Sequence, residues 1–326
     1  MKIKLLTHTD LDGIGCAIVA YMAFGMENVN VDYCDYKNID KKIMALGSDG
    51  ELYNSYDKIF ITDISMSAEL AADMDICCNH DKIKLLDHHA TALDLNKYEW
   101  CDVRVTDKCS GIKHSGTELL FMYLHNYGYF DDMTFYIKDN LCRFVEIVRD
   151  YDTWRWKEEL GEEGLVCKQV NDIFHIYGRD KFINWSISKI QDRLGRPYPN
   201  FDSMDKFILE QKQKDIDDYI AMKNNQMTIV NDKFGYICGV VFAERYFSEL
   251  GNRLSELNPE LDYIAMVDIG FGGVSYRTVR DDIDLGGEIA HSFGGGGHRK
   301  AAGSTFDAGR VRELALNDIF GVVMTN

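Results

Sequence analysis

His8-Thr9-Asp10-Leu11-Asp12-Gly13 is the stretch from which the fold of this chain can be read. Before it, Lys2 to Thr7 is a short apolar run ending in polar residues, as in a strand buried in a parallel sheet. After it, Gly13 to Phe24 (GIGCAIVAYMAF) is small and apolar, and predicts a helix packed on that sheet. A strand followed by an acidic residue comes twice more: Lys58 to Thr62 (KIFIT) runs into Asp63, and Lys82 to Leu86 (KIKLL) runs into Asp87-His88-His89. In an open parallel sheet the carboxyl ends of the strands face one crevice, so residues far apart in sequence converge there.

Working outward, Val29 to Tyr33 alternates like a strand, and Ser65 is read as the N-cap of a helix from Met66 to Met74. Ser115 to Tyr127 and Thr134 to Val148 have helical patterns. Strands alternating with helices predict an α/β domain, a parallel sheet with helices on both faces. Glu158 to Pro199 is less regular, and Ser203 to Gln226 is charged, periodic and predicted to be a connecting helix. Beyond it the pattern changes. Met227 to Val230, Tyr236 to Phe242, Leu261 to Val267 and Gly272 to Thr278 are predicted strands; Tyr246 to Leu257, Leu285 to Phe293 and Val311 to Phe320 are predicted helices. The expected organisation is a first α/β domain over 1–185, a connecting segment over 186–226, and a smaller α/β domain over 227–326.

Composition narrows the function. Hydrophobic residues make up 46% of the 326, enough for real cores, and three prolines argue against a linker-rich chain. No window reaches the length of apolar residues that a membrane span needs, and the N-terminus turns polar too early for a signal peptide. Nine scattered cysteines, with Cys77-Cys78 the one close pair and no CxxC, fit reduced thiols in the cytoplasm. A net charge of -17 disfavours gripping duplex nucleic acid, because phosphate contacts want a basic surface. A short phosphorylated ligand remains compatible if cations neutralise its site.

Three His/Asp clusters at strand ends of one domain point to such cations. Oxygen and imidazole donors together suit manganese, iron, zinc or magnesium. Carboxylates crowded together raise one another's pKa unless a cation intervenes, and a pair of divalent ions could serve both the attacking and leaving oxygens of a phosphoryl transfer. A calcium loop does not fit Asp10-Leu11-Asp12-Gly13, because its fifth and twelfth positions are Ile14 and Tyr21. The run Gly294-Gly295-Gly296-Gly297-His298 is not a Walker loop, since no Gly-Lys-Ser/Thr follows. Its glycines would let backbone N–H groups come close to a ligand. Arg277 and Arg299 could clamp a phosphate. Tyr151, Trp154 and Trp156 could stack a base, though packing is their ordinary use.

Taken in order, His8-x-Asp10-x-Asp12-Gly13, Asp63, Asp87-His88-His89, Val274-Ser275-Tyr276-Arg277 and Gly294-Gly295-Gly296-Gly297-His298-Arg299 resemble the DHH phosphoesterases with their associated C-terminal domain. The architecture without added domains resembles the oligoribonuclease, or nanoRNase, branch. The resemblance implies two α/β domains across a cleft and hydrolysis of short oligonucleotides or linear dinucleotides. It implies His8, Asp10 and Asp63 around one divalent ion, and Asp12, Asp63, His88 and one further Asp around the other. The ions it implies are manganese, with magnesium and others open. Two aspartates compete for the last ligand place, Asp150 and Asp152, and the helix-then-Asp pattern favours Asp150. Asp87 would orient the site and His89 would lie beside the scissile phosphate. Ser275, Arg277, Gly295, Gly296, Gly297, His298 and Arg299 would bind substrate. Lys108 to Gly116 (KCSGIKHSG) departs from the family, with added polar and glycine residues ahead of a helix. Expected partners are short single-stranded RNA or DNA and dinucleotides, not duplex or membrane; a homodimer stays open. Alternatives are a 3′-phosphoadenosine 5′-phosphate phosphatase, a cyclic dinucleotide phosphodiesterase, a single-strand exonuclease, or a catalytically silent nucleotide-binding protein.

Overall fold

The computed structural model describes residues 1–77 and 79–321, so Cys78 and residues 322–326 lie outside it. The chain divides into two compact units, Met1–Leu209 and Glu210–Asn326.

The first unit runs β1 (Ile3–Thr7), α1 (Leu11–Phe24), β2 (Val29–Tyr33), α2 (Ile39–Ser48), α3 (Gly50–Ser55), β3 (Lys58–Thr62), α4 (Ala68–Cys77), β4 (Ile83–Asp87), β5 (Cys101–Val103), α5 (Gly116–Asn126), α6 (Phe135–Asp152), α7 (Arg155–Glu158), α8 (Leu165–Tyr177) and α9 (Arg179–Ile190). Its five strands are parallel, in the order β2-β1-β3-β4-β5. Alternation along the strands splits the core in two. Ile3, Leu5, Phe60 and Leu86 face a layer built from α1, α5, α6, α8 and α9. Leu6, Ile59, Ile61, Ile83 and Leu85 face the other layer, where Ile43, Ala71 and Met74 pack. Helices therefore cover both faces, and the strands can be apolar throughout.

The strand ends beneath the His/Asp clusters are tied together. The Thr62 hydroxyl donates to Thr7 Oγ1 (3.0 Å), and the Thr7 hydroxyl donates to the Gly13 carbonyl (3.1 Å). Gly13 has no room for a side chain, because a Cβ there would come within 2.2 Å of the His8 carbonyl oxygen. The turn from β1 into α1 thus requires glycine.

Several expectations change. Ser65 does not cap α4. Its hydroxyl donates to Asp87, and Ser67 Oγ accepts from Leu70 N (3.3 Å) at the true start of the helix. The helix expected to end at Val148 continues to Asp152, as α6. The irregular stretch after Glu158 contains α8 and α9, with Cys167, Val170, Ile173, Phe174, Phe182 and Ile183 buried against the main core. Between residues 39 and 55, α2 and α3 went unforeseen: α2 does carry an apolar face, Ile39, Ile43 and Leu46 at helical spacing, whereas α3 is six residues long and buries none of them.

α10 (Ser203–Asn225) carries the chain from the first unit into the second. The second unit continues with β6 (Thr228–Asn231), β7 (Ile237–Phe242), α11 (Phe247–Leu257), β8 (Tyr263–Asp268), β9 (Gly273–Arg277), a π-helical turn Leu285–Ala290, β10 (Gly296–His298), β11 (Ala301–Thr305) and α12 (Ala308–Phe320). Its six strands are ordered β10-β11-β9-β8-β7-β6, with β7–β8 parallel and the other pairs antiparallel. The glycine run forms the start of a hairpin rather than a bare loop. Gly295 and Gly297 are demanded by their own neighbours, since a Cβ would meet the Gly303 carbonyl oxygen at 2.0 Å or Ala302 Cα at 2.6 Å. Gly296 is exposed, with open space where a Cβ would stand.

Candidate metal centre

The three clusters meet at the carboxyl ends of β1, β3 and β4. Asp10 caps α1, its Oδ1 accepting from Gly13 N (3.1 Å), while its Oδ2 lies 2.7 Å from His8 Nδ1. Asp63 follows β3 in the left-handed region (φ 58°), a conformation that Asp tolerates better than most side chains. Its backbone N–H donates to the Leu86 carbonyl (3.1 Å), which ties the residue to β4. Asp63 Oδ1 stands 3.1 Å from His88 Nε2. Its Oδ2 lies 4.0 Å from His8 Nδ1, is buried, and has no hydrogen-bond partner among the described residues.

Asp12 is held from a distant element. The α5 N-terminus points Gly116 N (2.6 Å) and Thr117 N (2.9 Å) at its carboxylate, and the Thr117 hydroxyl donates to its carbonyl (2.6 Å). The first N–H groups of a helix lack partners within the helix and attract negative charge. Gly116 must be glycine, because a Cβ would fall 2.4 Å from Asp63 Cβ. The departure at Lys108 to Gly116 therefore ends in a part of the site. Asp107 folds that segment by accepting from Cys109 N, Ser110 N and Ser110 Oγ. The sequence had shown the helix start but not that its amides hold Asp12.

Asp150 and Asp152 part company. Both lie in the last turn of α6, and at 3.6 residues per turn two positions are about 200° apart around the helix. Asp152 Oδ2 comes 3.6 Å from His88 Nε2, and Asp12 Oδ2 lies 3.7 Å from the same nitrogen. Asp150 points away, bound by Arg149 (Nη2, 2.8 Å) and Arg155 (Nη1, 3.1 Å). The preference for Asp150 is thus corrected: the helix is longer than its pattern suggested, and the extra turn puts Asp152 on the side of the histidines.

Asp87 works behind the site. Its Oδ1 accepts from His88 N (2.7 Å) and pairs with His89 Nδ1 (2.8 Å), and its Oδ2 accepts from Ser65. A carboxylate that fixes an imidazole by one nitrogen sets the direction of the other. Tyr36, which carried no sequence signal, places its hydroxyl 3.3 Å from His89 Nε2.

Three groups of side chains offer donor atoms within 4.8 Å of one another: His8, Asp10 and Asp63; Asp63, His88 and His89; Asp12, His88 and Asp152. Among the described residues no Lys or Arg forms an ion pair with Asp10, Asp12, Asp63 or Asp152. The cost of this crowding shows in the pKa values. Burial, then Asp12 and Asp10, push Asp63 well above the carboxylate range. Burial and the same two neighbours raise Asp152 to about 8. Burial lowers His88, whereas hydrogen bonds to Asp10 and Asp87 raise His8 and His89 respectively. Acidic groups forced to hold protons, and a buried carboxylate oxygen with nothing to bind, fit divalent cations.

A pH dependence follows. Without metal, folding raises the pKa of Asp63 and Asp152, so the folded state holds more protons than the unfolded one. That contribution is complete below the ordinary carboxylate value near 3.8 and is lost as pH rises through the raised values, about 8 for Asp152. The metal-free protein should melt higher at mildly acidic pH than above pH 8, as far as this site decides it. Manganese should reverse that order, because binding must expel the protons. Thermal melts with chelator and with manganese across this range check both signs.

In the second unit, alternation along β9 puts Ser275 and Arg277 on one face and buried Tyr276 on the other. The register places His298, Ala301 and Arg277 in one cross-strand row. Arg277 is half-buried, and its guanidinium donates to the Tyr276 carbonyl (2.8 Å) and Ser248 Oγ (3.4 Å), with no carboxylate partner among the described residues. Burial lowers its pKa. Ser248, in the first turn of α11, was not foreseen. Arg299 instead donates twice to the Asp281 carbonyl (3.1 and 2.8 Å).

No family model matches this chain. It is 36% identical over 321 residues to the oligoribonuclease NrnB of Bacillus subtilis (strain 168), an alignment covering 98% of this chain and 76% of that protein. The chain belongs to the DHH phosphoesterase family, in its nanoRNase branch. Solved DHH structures share its fold. The DHH domain of a member of a family of ribosomal proteins matches with a TM-score of 0.60 at 13% identity, covering 99% of this chain and 87% of that one. RecJ from Thermus thermophilus, in complex with Mn2+, matches with a TM-score of 0.51 at 12% identity, covering 98% of this chain and 51% of that one. No helix among the described residues of this DHH protein is long and apolar enough to cross a membrane.

Proposed function

We propose that this protein is a metal-dependent phosphodiesterase that hydrolyses short oligonucleotides or linear dinucleotides to mononucleotides. The observation that carries this reading is Asp63: one oxygen meets His88, and the other is buried without a partner on the side of His8. His8, Asp10 and Asp63 would hold one divalent ion, and Asp12, Asp63, His88 and Asp152 the other, with manganese as the favoured metal. Bound there, such a pair supplies positive charge to the attacking and leaving oxygens of a phosphoryl transfer.

The remaining steps belong to the chain's own groups. Amides of Gly116 and Thr117 hold the Asp12 carboxylate in one orientation. Asp87 fixes His89 through Nδ1, so that the imidazole can be offered to an oxygen of the scissile phosphate. Arg277, half-buried and without a carboxylate, would bind another substrate phosphate, with Ser275, His298 and the exposed backbone of Gly296 as further polar partners. Gly295 and Gly297 serve that hairpin's shape. The preference for short chains rests on the oligoribonuclease to which the chain is similar.

The test is hydrolysis of 5′-labelled RNA as a dinucleotide, a pentanucleotide and a much longer chain, with manganese and with chelator. Metal-dependent loss of the dinucleotide, with the long chain nearly intact, is expected. Equal degradation of all lengths would make the protein a general single-strand exonuclease. No cleavage of any length would overturn the reading.

A further inference from the structure

Tyr36 lies in the turn after β2 and belongs to none of the acidic clusters, yet it touches two of their histidines. Its ring centroid is 5.7 Å from that of His8 and 6.2 Å from that of His89, the latter edge-to-face at 90°. Its hydroxyl stands 3.3 Å from His89 Nε2. The side chain remains 61% exposed, so core packing does not account for its position. The turn that carries it is built by the chain itself. Cys34 N donates to the Thr7 carbonyl (2.7 Å), Asp35 N to Asn38 Oδ1 (3.0 Å), and Lys37 N to Asp35 Oδ1 (2.8 Å).

His89 has two nitrogens and two neighbours that want different things of it. Asp87 takes Nδ1. His89 also lies close enough to His88 and Asp63 for the three to form a candidate ligand group. A ring with an open Nε2 could therefore turn into the metal centre. Tyr36 occupies that nitrogen. A hydroxyl can donate to a neutral imidazole nitrogen or accept from a protonated one, so it can hold the ring in either state, which a phenyl ring cannot.

We propose that Tyr36 is a positioning residue for His89: in the substrate-free protein it holds the ring nitrogen that Asp87 leaves open, so that the imidazole stays out of the metal centre and keeps Nε2 where a phosphate oxygen of the substrate would take the hydroxyl's place. This rests on the phosphodiesterase reading above. Tyr36 acts through His89, and the two side chains form one unit with Asp87.

The test is a double-mutant cycle of Tyr36→Phe and His89→Ala, read as kcat and KM for a dinucleotide with saturating manganese. The second readout is the imidazole nitrogen resonances of the metal-free protein labelled with 15N-histidine. Tyr36→Phe should lower kcat about tenfold with little change in KM, the lower end for a lost outer partner of an active-site imidazole. In the His89→Ala background the same substitution should cost almost nothing. The His89 Nε2 resonance should move in Tyr36→Phe while those of His88 stay. Equal costs in both backgrounds, or an unmoved His89 resonance, overturn the proposal. A wild-type protein that cleaves no phosphodiester defeats the functional reading instead, and the resonances alone then decide whether Tyr36 holds His89.

Discussion

Replacing Asp63 by Asn should lower kcat about 10³-fold or more while leaving the protein folded. Asn keeps the shape of the side chain and its tolerance of the left-handed backbone. What it loses is negative charge on two oxygens, one facing His88 and one buried on the side of His8. Loss of one electrostatic partner in a water-poor active site costs up to ~4 kcal/mol of transition-state stabilisation, and each ~1.4 kcal/mol is tenfold in rate. Here one residue would be lost to both ions at once. The stability effect should run the other way. Burial, Asp12 and Asp10 press Asp63 to hold a proton, so at alkaline pH the chelator-treated variant should melt no lower than the parent. A variant within tenfold of parental activity at saturating manganese would refute the bridging place given to Asp63.

The second large effect separates two neighbours. Asp152→Asn should cost about 10²-fold or more in kcat or in manganese affinity, with a melting temperature close to the parent's when metal is absent. Asp150→Asn should do the reverse. Its carboxylate joins Arg149 and Arg155, and Arg149 is also paired with Glu118, which pairs with His114. Removing one partner of a buried pair costs about 3–5 kcal/mol, and the partial exposure of Arg155 argues for the lower end. At about 2–4 °C per kcal/mol for a unit of this size, the melting temperature should fall by about 6–12 °C. Residual activity well below the new transition should stay near parental. Opposite results would exchange the two roles.

That pair also marks where the sequence was legible and where it was not. β1, β3 and β4 could be read because a buried parallel strand is a short apolar run, and each ends in its acidic cluster. The convergence of His8, Asp10, Asp12, Asp63, Asp87, His88 and His89 then followed from the topology alone. The choice between Asp150 and Asp152 depended on where α6 ends: only a helix that runs through both residues fixes them about 200° apart, on opposite faces. Ser65 was misread for a related reason. A serine before a helix has the composition of a cap, but Asp87, which takes its hydroxyl, is distant in sequence. Tyr36 and Ser248 were invisible because an isolated Tyr or Ser carries no pattern, and their meaning lies in what other elements bring beside them. Only part of the glycine run's meaning could be read. Its need for glycine was evident, but most of the close contacts that impose it are with the chain's own β11.

The amides of Gly116 and Thr117 that grip Asp12 lie 104 and 105 residues further along the chain. Closing so long a loop is entropically costly and is repaid only once the intervening strands have paired. The candidate ligand set is therefore a product of tertiary closure, not of a local peptide. A growing chain that has not yet made α5 carries His8, Asp10, Asp12, Asp63 and His88 but lacks the amides that orient Asp12. Any tight cation capture by this cluster would thereby be deferred until α5 has docked, and the motif by itself would make a poor chelator.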